Sequence, residues 1–402
     1  MKLQDLKNKT ILILGFGREG QATLKFLRKH FPKKEIRVAD QSEGKNYLDK
    51  INNYDVIIKS PGIPYLPEIK KAKDQGKIIT SATQIFFDLC IGKIIGVTGT
   101  KGKSTTAAMI YEVLKRGGFD VYLAGNIGQP ALELLEKING DSIVVYELSS
   151  FQLADLTKSP HIAVITNIYP EHLDHHGSFE DYKNAKANIV KFQKEDDFVV
   201  FNKDNQDAKE IADLSKAKNK YGYSDEIPIN LIPALYIGRM FDITDQNIKK
   251  AVAYFKTLPH RLEFVGKFKG IKFYNDSLST IPQATIRALD ILGNDVETLI
   301  VGGFDRGIDY AILGPVIAKS NIKNLILFPT TGEKIWNAVS SEENNITRYE
   351  VSSMSEAVTL AYKHTNPGKI ALLSPASSSF NLFKDYEDRG NQFKEEVNFF
   401  AK

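Results

Sequence analysis

A glycine-rich segment at residues 96–106 constrains the fold of this chain more than any other feature. A short β-branched run precedes the segment and a helical pattern follows it, so a strand, a tight turn and a helix are predicted. Such a turn presents backbone N–H groups and the positive end of a helix to an anion. Lys103 adds a positive charge, and Ser104 adds a hydroxyl that suits Mg²⁺. We therefore predict a loop that holds the phosphates of ATP.

The spacing of this loop differs from the common nucleotide-binding motif. The motif G-x-x-x-x-G-K-[ST] requires glycine where this chain has Val97, and Gly96 lies one residue earlier. The pattern predicts an ATP site of an unusual subtype, and the alternative is a glycine-rich turn with a surface lysine. The loop residues predicted to contact ATP are Gly99, Thr100, Lys101, Gly102, Lys103, Ser104 and Thr105.

Length and composition indicate an ordinary water-soluble protein. The 402 residues allow two or three domains, and 42% are hydrophobic and 25% charged. No apolar run reaches the roughly 18–20 residues of a membrane span, and no signal-peptide pattern is present. Cys90 is the only cysteine, which suits a reducing cytoplasm. The net charge of +4 without a basic stripe gives no indication of nucleic-acid binding, so a cytoplasmic monomer with small-molecule partners is expected.

Predicted strands and helices alternate along almost the whole chain. This rhythm favours an α/β fold in which helices cover parallel sheets. We predict three domains, at residues 1–92, 93–258 and 259–402. The first and third are expected to be Rossmann-like, and the central one a P-loop-type ATPase domain with a mostly parallel sheet. The predicted strands are residues 10–14, 36–40, 56–59, 93–95, 142–146, 162–166, 198–201, 271–274, 298–301, 325–328 and 370–373.

A second glycine loop follows the first predicted strand. Gly15, Gly17 and Gly20, with Asp40 roughly twenty residues further on, match the dinucleotide-binding fingerprint. The physical requirement is less specific, because any diphosphate can bind the N–H groups at such a helix N-terminus. NAD, another nucleotide diphosphate and a structural turn are therefore open interpretations. Residues 60–64, after the third predicted strand, are a candidate second wall of this pocket or a stiff turn.

Acidic and histidine side chains follow two strands of the predicted central domain. Glu147 and His172 lie just past strands whose carboxyl ends would face the phosphates of ATP. A carboxylate suits Mg²⁺, whereas histidine is a less usual ligand for it. A cluster of His172, His175 and His176 with Asp174 is an alternative zinc site, although no cysteine supports it. A loop of solvated histidines is the other alternative.

Several short motifs occur in the order that is typical of one protein family. Together they resemble the Mur ligases of peptidoglycan synthesis, from about residue 10 to residue 400. The segments at 147–153 and 374–380 are most similar to the glutamate-adding member. The matching segments are residues 96–104, 125–128, 147–153, 167–174, 259–261, 275–277, 302–303 and 374–380.

The resemblance implies a reaction and a task for each domain. The first domain would bind the uridine diphosphate of UDP-N-acetylmuramoyl-L-alanine, which favours a diphosphate over NAD in the second glycine loop. The central domain would bind ATP and two Mg²⁺ ions. The third would bring glutamate and close over the site. ATP would convert the carboxylate of the UDP-linked substrate into an acyl phosphate, which the glutamate amine then attacks in cytoplasmic peptidoglycan precursor synthesis.

The resemblance also assigns individual residues. Ser104, Glu147 and His172 match metal ligands, and Lys103 matches a catalytic lysine beside the phosphates. Lys186 matches a lysine that CO₂ carbamylates, which gives an acidic group that orients the metal. The ATP contacts implied outside the loop are Asn230, Arg261 and Asp276. Those implied for the UDP-linked substrate are Gly15, Phe16, Gly17, Arg18, Asp40, Gln41, Ser60, Asn126, Ser149 and Gln152. Those implied for the amino acid are Thr280, Arg306, Ser379, Phe380 and Tyr386.

The chain departs from the family pattern at several positions. Pro233 stands where the family has a nucleotide-contacting asparagine, so Asn230 or the backbone is expected to hold adenine. Leu278 stands where many glutamate-adding members have lysine. Arg306 replaces another lysine that faces the glutamate carboxylate, and arginine can bind a carboxylate with two parallel hydrogen bonds. Residues 205–245 are shorter than the pattern, which leaves the number of helices there open.

Other functions remain compatible with these motifs. They are a ligase that adds L-glutamate or a different amino acid, a folylpolyglutamate-synthase-like enzyme, and a catalytically silent nucleotide-binding scaffold. A scaffold needs no metal ligands, so the joint presence of Glu147, His172 and Lys186 argues against the last of these.

Overall fold

Three β-sheets with flanking helices are formed by the described residues of the computed structural model. The structure describes residues 2–44, 46–49, 51–64, 66–224, 231–253, 259–340, 345–380 and 382–401. They group into two units, Met1–Phe255 with the first two sheets and Lys256–Lys402 with the third. The predicted α/β fold with mostly parallel sheets is confirmed. The domain boundaries at 92/93 and 258/259 stay predictions.

The first sheet carries the second glycine loop. Its elements are β1 (Ile11–Leu14), α1 (Arg18–His30), β2 (Ile36–Ala39), β3 (Val56–Lys59), α2 (Pro67–Asp74), β4 (Ile78–Thr80) and α3 (Ala82–Leu89), with 3₁₀ turns at Leu3–Leu6, Gln41–Glu43 and Ile51–Asn53. The strands are parallel in the order β2-β1-β3-β4. β1 and β3 are fully buried, as expected for nearly unbroken apolar strands in a parallel sheet. The loops after β1, β2 and β3 therefore meet at one edge.

The second sheet carries the phosphate loop. Its elements are β5 (Lys93–Thr98), α4 (Lys103–Arg116), β6 (Val121–Gly125), α5 (Ala131–Leu134), β7 (Ile143–Glu147), α6 (Ser150–Leu153), β8 (Ile162–Ile165), α7 (Leu173–His176), α8 (Phe179–Lys191), β9 (Phe198–Asn202), α9 (Gln206–Asp213), β10 (Asn219–Tyr223), α10 (Leu231–Met240) and α11 (Asp245–Ala253). The strands are parallel in the order β10-β9-β8-β5-β7-β6. β5 lies between β7 and β8, so the loops after these three strands share one edge.

The third sheet forms the second unit. Its elements are β11 (Glu263–Phe268), β12 (Ile271–Asn275), α12 (Pro282–Leu292), β13 (Val296–Gly302), α13 (Gly314–Ala318), β14 (Asn324–Phe328), α14 (Thr331–Ser340), β15 (Thr347–Glu350), α15 (Met354–His364), β16 (Ile370–Leu373) and α16 (Tyr386–Ala401), with a 3₁₀ turn at Gly293–Asp295. The strand order is β11-β12-β16-β13-β14-β15. Only the β11–β12 hairpin is antiparallel among the described pairs. The loops after β12, β13 and β16 therefore lie at one edge.

The first two sheets share one hydrophobic core. Phe86 and Phe87 of α3 pack against Tyr146 of β7, with ring centroids 5.4 and 6.0 Å apart. An exposed ion pair between Lys25 of α1 and Glu133 of α5 crosses the same boundary. Aromatic side chains bury large apolar areas, so this contact helps to hold the two sheets together.

Each predicted strand is present, and the described residues form five further strands outside the predicted set. They are β4, β6, β10, β11 and β15, and all five lie at a sheet edge. In β15, for example, three of the four residues are exposed. An edge strand has solvent on one side, so its sequence lacks the continuous apolar run by which interior strands are predicted.

The segment whose helix count was left open contains α9, α10 and the start of α11 among its described residues. Pro233 lies in α10, and its side chain is buried. Asn230, the predicted adenine contact, lies outside the described residues. Within the described part of the chain, no helix is long and apolar enough to cross a bilayer.

Candidate functional site

The phosphate loop connects β5 to α4 and depends on two glycines. Gly102 is the N-cap of α4 and has a φ angle of 83°, which residues with a side chain rarely adopt. A Cβ atom at Gly99 would lie 1.9 Å from Oγ1 of Thr166, which follows β8. The Thr166 hydroxyl also donates to the carbonyl of Lys101 at 2.7 Å. The segment after β8 therefore fixes the loop against the sheet edge.

The side chain of Lys101 is held by Glu171. Its Nζ atom lies 2.5 Å from Oε1 of Glu171, whose Oε2 atom lies 3.8 Å from Nε2 of His172. Burial alone would raise the pKa of Glu171, but the charge and hydrogen bond of Lys101 outweigh it, so this pKa lies below its ordinary value. The sequence assigned Glu171 no role, although it adjoins the predicted ligand His172. The Lys101 ammonium group has three N–H donors, so it can hold this carboxylate and still donate to a phosphate.

Two lysine side chains converge on the carbonyl oxygen of Gly99. Lys103 donates to this oxygen at 2.9 Å and to the carbonyl of Thr100 at 3.0 Å. Lys186 of α8 donates to the same oxygen at 2.8 Å, and its side chain is almost completely buried. Burial, reinforced by the charge of Lys103, holds the pKa of Lys186 well below its ordinary value. The environment therefore favours the neutral, nucleophilic amine of Lys186.

Tyr182 links α8 to the phosphate loop. Its ring centroid lies 4.8 Å from Nζ of Lys186, and its hydroxyl lies 2.9 Å from Oγ1 of Thr100. Burial raises the pKa of Tyr182, so the side chain remains a neutral phenol. The sequence placed Tyr182 in the motif of Lys186 but gave it no role. The spacing of four residues, which sets both side chains on one helix face, is the signal that was available.

Hard oxygen donors lie at the same edge of the second sheet. Glu147 is the last residue of β7, rather than just past the strand as predicted, and it is buried. Strand pairing places Glu147 beside Val97 of β5 and Gly125 of β6. Its negative charge acts to raise the pKa of Lys186. Ser104 lies in the first turn of α4, which begins at the loop. A carboxylate and a hydroxyl of this kind fit the ligand preference of Mg²⁺.

The histidine cluster packs around one aromatic ring. His172 has a left-handed backbone, with φ at 56°, at the start of α7. The ring of Phe151 contacts all three histidines, at centroid distances of 4.9, 4.4 and 5.4 Å for His172, His175 and His176. Burial and then the charge of His175 lower the pKa of His176 to about 4. Among the described side chains, which exclude that of Asp174, no three His, Cys, Asp or Glu residues form a metal-binding group.

The glycine loop after β1 is held by the loops after β2 and β3. Gly15 has a φ angle of 91°, and a Cβ atom there would lie 2.9 Å from Cβ of Ser60. The Ser60 hydroxyl donates to the carbonyl of Gly15 at 2.9 Å. The backbone N–H of Phe16 donates to the Asp40 carboxylate at 2.7 Å. Hydrogen bonds from Ser42 and then from Phe16 lower the pKa of Asp40, which keeps it ionised.

Two side-chain contacts connect this loop to the second sheet. The Arg18 guanidinium donates to the carbonyl oxygens of Gly128 at 2.5 Å and Asn126 at 3.4 Å. The amide of Gln152 in α6 donates to the carboxylate of Glu19 at 2.6 Å. Burial raises the pKa of Glu19, a residue to which the sequence gave no role. These contacts bring the predicted ligands of the UDP-linked substrate together. The remaining predicted ligands of that substrate are Gly17 as N-cap of α1, Gln41 in the turn after β2, and Ser149 as N-cap of α6.

In the second unit, Asp276 follows β12, and its buried carboxylate accepts three hydrogen bonds. The donors are the backbone N–H of Leu262 at 3.1 Å and the hydroxyls of Ser279 and Ser374 at 2.5 and 2.7 Å. Burial outweighs these hydrogen bonds and the charge of Arg261, and raises the pKa of Asp276 to about 6. Asp276 therefore joins the loop after β12 to the loop after β16.

The loops that carry the predicted amino-acid ligands run side by side. The backbone N–H of Phe304 donates to the carbonyl of Ser378 at 2.8 Å. This pairing brings the loop of Arg306 beside that of Ser379. Arg306 is exposed, whereas Ser379 is buried. The other predicted ligands are Thr280, half-buried before α12, Phe380, which is exposed, and Tyr386, the first residue of α16.

Arg389 of α16 fixes the spacing of these loops, although the sequence did not identify it. Its side chain is fully buried. The guanidinium donates to the hydroxyl and carbonyl of Ser277 at 3.0 and 2.9 Å and to the carbonyl of Ser377 at 3.0 Å. Burial lowers its pKa to about 9. A lone arginine on a helix gives no local sequence signal, because its partners lie far away along the chain.

Comparisons with known proteins show the family of this chain. Residues 97–268 match the family model described as Mur ligase middle domain. The chain is 37% identical to UDP-N-acetylmuramoylalanine--D-glutamate ligase of Acetivibrio thermocellus, over 96% of this chain and 91% of that protein. The chain therefore belongs to the Mur ligase family, as the motifs indicated.

Two solved structures share the fold at low sequence identity. UDP-N-acetylmuramate-alanine ligase MurC from Thermotoga maritima is 16% identical with a TM-score of 0.62, and the match covers 98% of this chain and 100% of that one. The MurF ligase from Thermotoga maritima, solved in complex with ADP, is 17% identical with a TM-score of 0.61, over 89% and 94% of the two chains. At these identities the likeness concerns the fold alone.

Proposed function

We propose that this chain is an ATP-dependent amide ligase that joins D-glutamate to UDP-N-acetylmuramoyl-L-alanine. The observation that carries the proposal is the convergence of Lys103 and Lys186 on the Gly99 carbonyl at the edge of a parallel sheet. The 37% identity to a ligase of that name, over nearly the whole chain, supports the choice of substrates. The reaction would take place in the cytoplasm, and a monomeric state stays a prediction.

The chemistry follows from the poor reactivity of a carboxylate toward amines. Transfer of the γ-phosphoryl group of ATP to the substrate carboxylate gives ADP and an acyl phosphate, whose phosphate is a good leaving group. The amine of glutamate then attacks the acyl carbon and loses a proton, and the tetrahedral intermediate collapses to the amide and phosphate. Lys103 and the N–H groups at the start of α4 would neutralise negative charge on the transferred group.

Mg²⁺ is proposed to bind beside the phosphate loop. Ser104, Glu147 and His172 would hold Mg²⁺, together with a carbamate on Lys186. Bound there, Mg²⁺ supplies positive charge that polarises the phosphoryl oxygens. The buried Glu147 carboxylate supports this assignment, since it supplies a hard oxygen donor beside the phosphate loop. Arg261 and Asp276 are the proposed ATP contacts from the second unit.

The carbamate on Lys186 requires a neutral amine. The lone pair of the neutral nitrogen attacks the carbon of CO₂ and the nitrogen loses one proton, so an uncharged amine becomes an anionic carbamate. Burial and the charge of Lys103, which lower the pKa of Lys186, favour that neutral amine. Positive charges of Lys103 and Lys101, both of which act on Lys186, would then stabilise the carbamate.

The function is tested by measuring ADP release in the presence of UDP-N-acetylmuramoyl-L-alanine with D-glutamate, L-glutamate or no amino acid. Turnover is expected only with D-glutamate. Lys103→Ala should lower it by at least about 10²-fold, the loss that follows removal of one preorganised charge contact. Lys115→Ala, at an exposed position on the same helix, is the control and should keep normal turnover. Turnover with L-glutamate alone would support the rival ligase, and turnover independent of amino acid would contradict the proposal.

The carbamate is tested with Lys186→Ala. This variant should be inactive, because it removes the amine that reacts with CO₂, and acetate should restore part of its activity. The wild-type protein should lose activity in CO₂-depleted buffer and regain it with bicarbonate. Lys191→Ala, an exposed position on the same helix, should behave as wild type. Full activity of Lys186→Ala without acetate would rule the role out.

The glutamate pocket is tested with Arg306→Ala. A guanidinium that binds a carboxylate contributes about 1.5–3 kcal/mol, so the KM for glutamate should rise roughly 10- to 100-fold. The KM values for ATP and for the UDP-linked substrate should stay near those of the wild type. Lys334→Ala removes an exposed cation that pairs with the neighbouring Asp305 at 2.6 Å, and it should have little effect. An unchanged glutamate KM in Arg306→Ala would place the pocket elsewhere.

A further inference from the structure

Lys59 is a buried lysine to which neither the motifs nor the proposed chemistry gives a role. It is the last residue of β3, and its side chain is only 4% exposed. Its Nζ atom lies 3.1 Å from Oδ2 of Asp155, which follows α6, and it donates to the carbonyl of Ile63 at 3.0 Å. A buried ammonium group is costly unless its charge and hydrogen bonds are satisfied. Here Asp155 supplies the opposite charge from the layer of the second sheet, and the Ile63 carbonyl accepts a hydrogen bond.

The hydrogen bond to Ile63 connects this ion pair to the glycine loop. The N–H of Ile63 donates to the carbonyl of Ser60 at 3.1 Å, so Lys59 spans the turn of residues 60–63. The Ser60 hydroxyl donates in turn to the carbonyl of Gly15. Because a Cβ atom on Gly15 would lie only 2.9 Å from that of Ser60, the turn and the loop are in direct contact. A shift of the turn would therefore shift the loop.

The segment 149–155 holds the opposite side of the same loop. Gln152 donates to Glu19 in the first turn of α1. The oxygen of the Gln152 amide also accepts the backbone N–H of Ser149 at 2.9 Å, so the amide is fixed at both ends. One short segment of the second sheet's layer thus contacts the glycine loop through Glu19 on one side and through Lys59 on the other.

We infer that Lys59 and Asp155 are positioning residues that set the shape of the pocket for the UDP-linked substrate. This inference rests on the proposed function, because it takes the Gly15 loop as the diphosphate site. A methionine would fill much the same volume as Lys59 without the cost of burying a charge. The ion pair instead fixes a position. The Asp155 carboxylate and the Ile63 carbonyl determine where Nζ of Lys59 lies, and Nζ in turn determines the position of the turn of residues 60–63.

The test is calorimetric binding of UDP-N-acetylmuramoyl-L-alanine and, separately, of ADP to the full chain. Lys59→Met should weaken binding of the UDP-linked substrate about tenfold, within the usual coupling of residues in one polar network. ADP affinity should stay within about twofold, because the phosphate loop lies on other strands. Lys25→Met is the matched control, since it breaks the exposed Lys25–Glu133 pair across the same two sheets. It should change neither affinity.

Asp155→Asn is the second variant, because it removes the charge with almost no change of volume. It should weaken binding of the UDP-linked substrate alone, and adding it to Lys59→Met should cause less than the sum of the two losses. Unchanged affinity of Asp155→Asn for the UDP-linked substrate would overturn the inference, because the ion pair would then have no role in binding. An equal loss of ADP affinity would overturn it too, because the ion pair would then stabilise the fold in general. A wild-type protein that does not bind the UDP-linked substrate would instead contradict the proposed function itself.

Discussion

The carbonyl oxygen of Gly99 is the point on which the rest of the site depends. It accepts hydrogen bonds from Lys103 at 2.9 Å and from Lys186 at 2.8 Å. The pKa of Lys186 lies well below its ordinary value, so a neutral amine and the Lys103 ammonium group can share this acceptor without the repulsion of two positive charges. The arrangement requires glycine, because a Cβ atom at this position would meet Thr166 at 1.9 Å. Backbone geometry therefore brings two lysine amino groups together at the phosphate loop.

Parallel strand order explains how distant parts of the sequence reach this point. β5 lies between β7 and β8, so the phosphate loop, Glu147 and the segment of His172 start from neighbouring strand ends. The first sheet has the same arrangement. The loop of Gly15, after β1, is hydrogen-bonded to Asp40 after β2 and to Ser60 after β3. Both sheets thus place polar residues at the carboxyl edge, where ligands of open α/β sheets bind.

Features that are encoded by neighbouring residues could be predicted from the sequence. Features that depend on residues far apart along the chain could not. Interior strands are mostly apolar runs and were predicted. Of the described edge strands only β2 was predicted, and the others, such as β15, lack a continuous apolar run. The phosphate loop was predicted from a local pattern, because its glycines, lysine and serine lie within a few residues between a strand signal and a helix signal. Lys186 was identified only through the family resemblance. The contacts of Glu19, Lys59 and Arg389 join residues far apart in sequence, so no local pattern indicated them.

In the proposed reaction, ATP activates a substrate carboxylate as an acyl phosphate at the Gly99 loop. The most direct measurement uses UDP-N-acetylmuramoyl-L-alanine with ¹⁸O in both carboxylate oxygens, unlabelled ATP and D-glutamate, followed by mass spectrometry of the released phosphate. Because the carboxylate oxygen that attacks the γ-phosphorus leaves with it, each phosphate should carry one ¹⁸O atom and the new amide should retain the other. Released phosphate without ¹⁸O, with both labelled oxygens still on the UDP-linked substrate, would contradict the account.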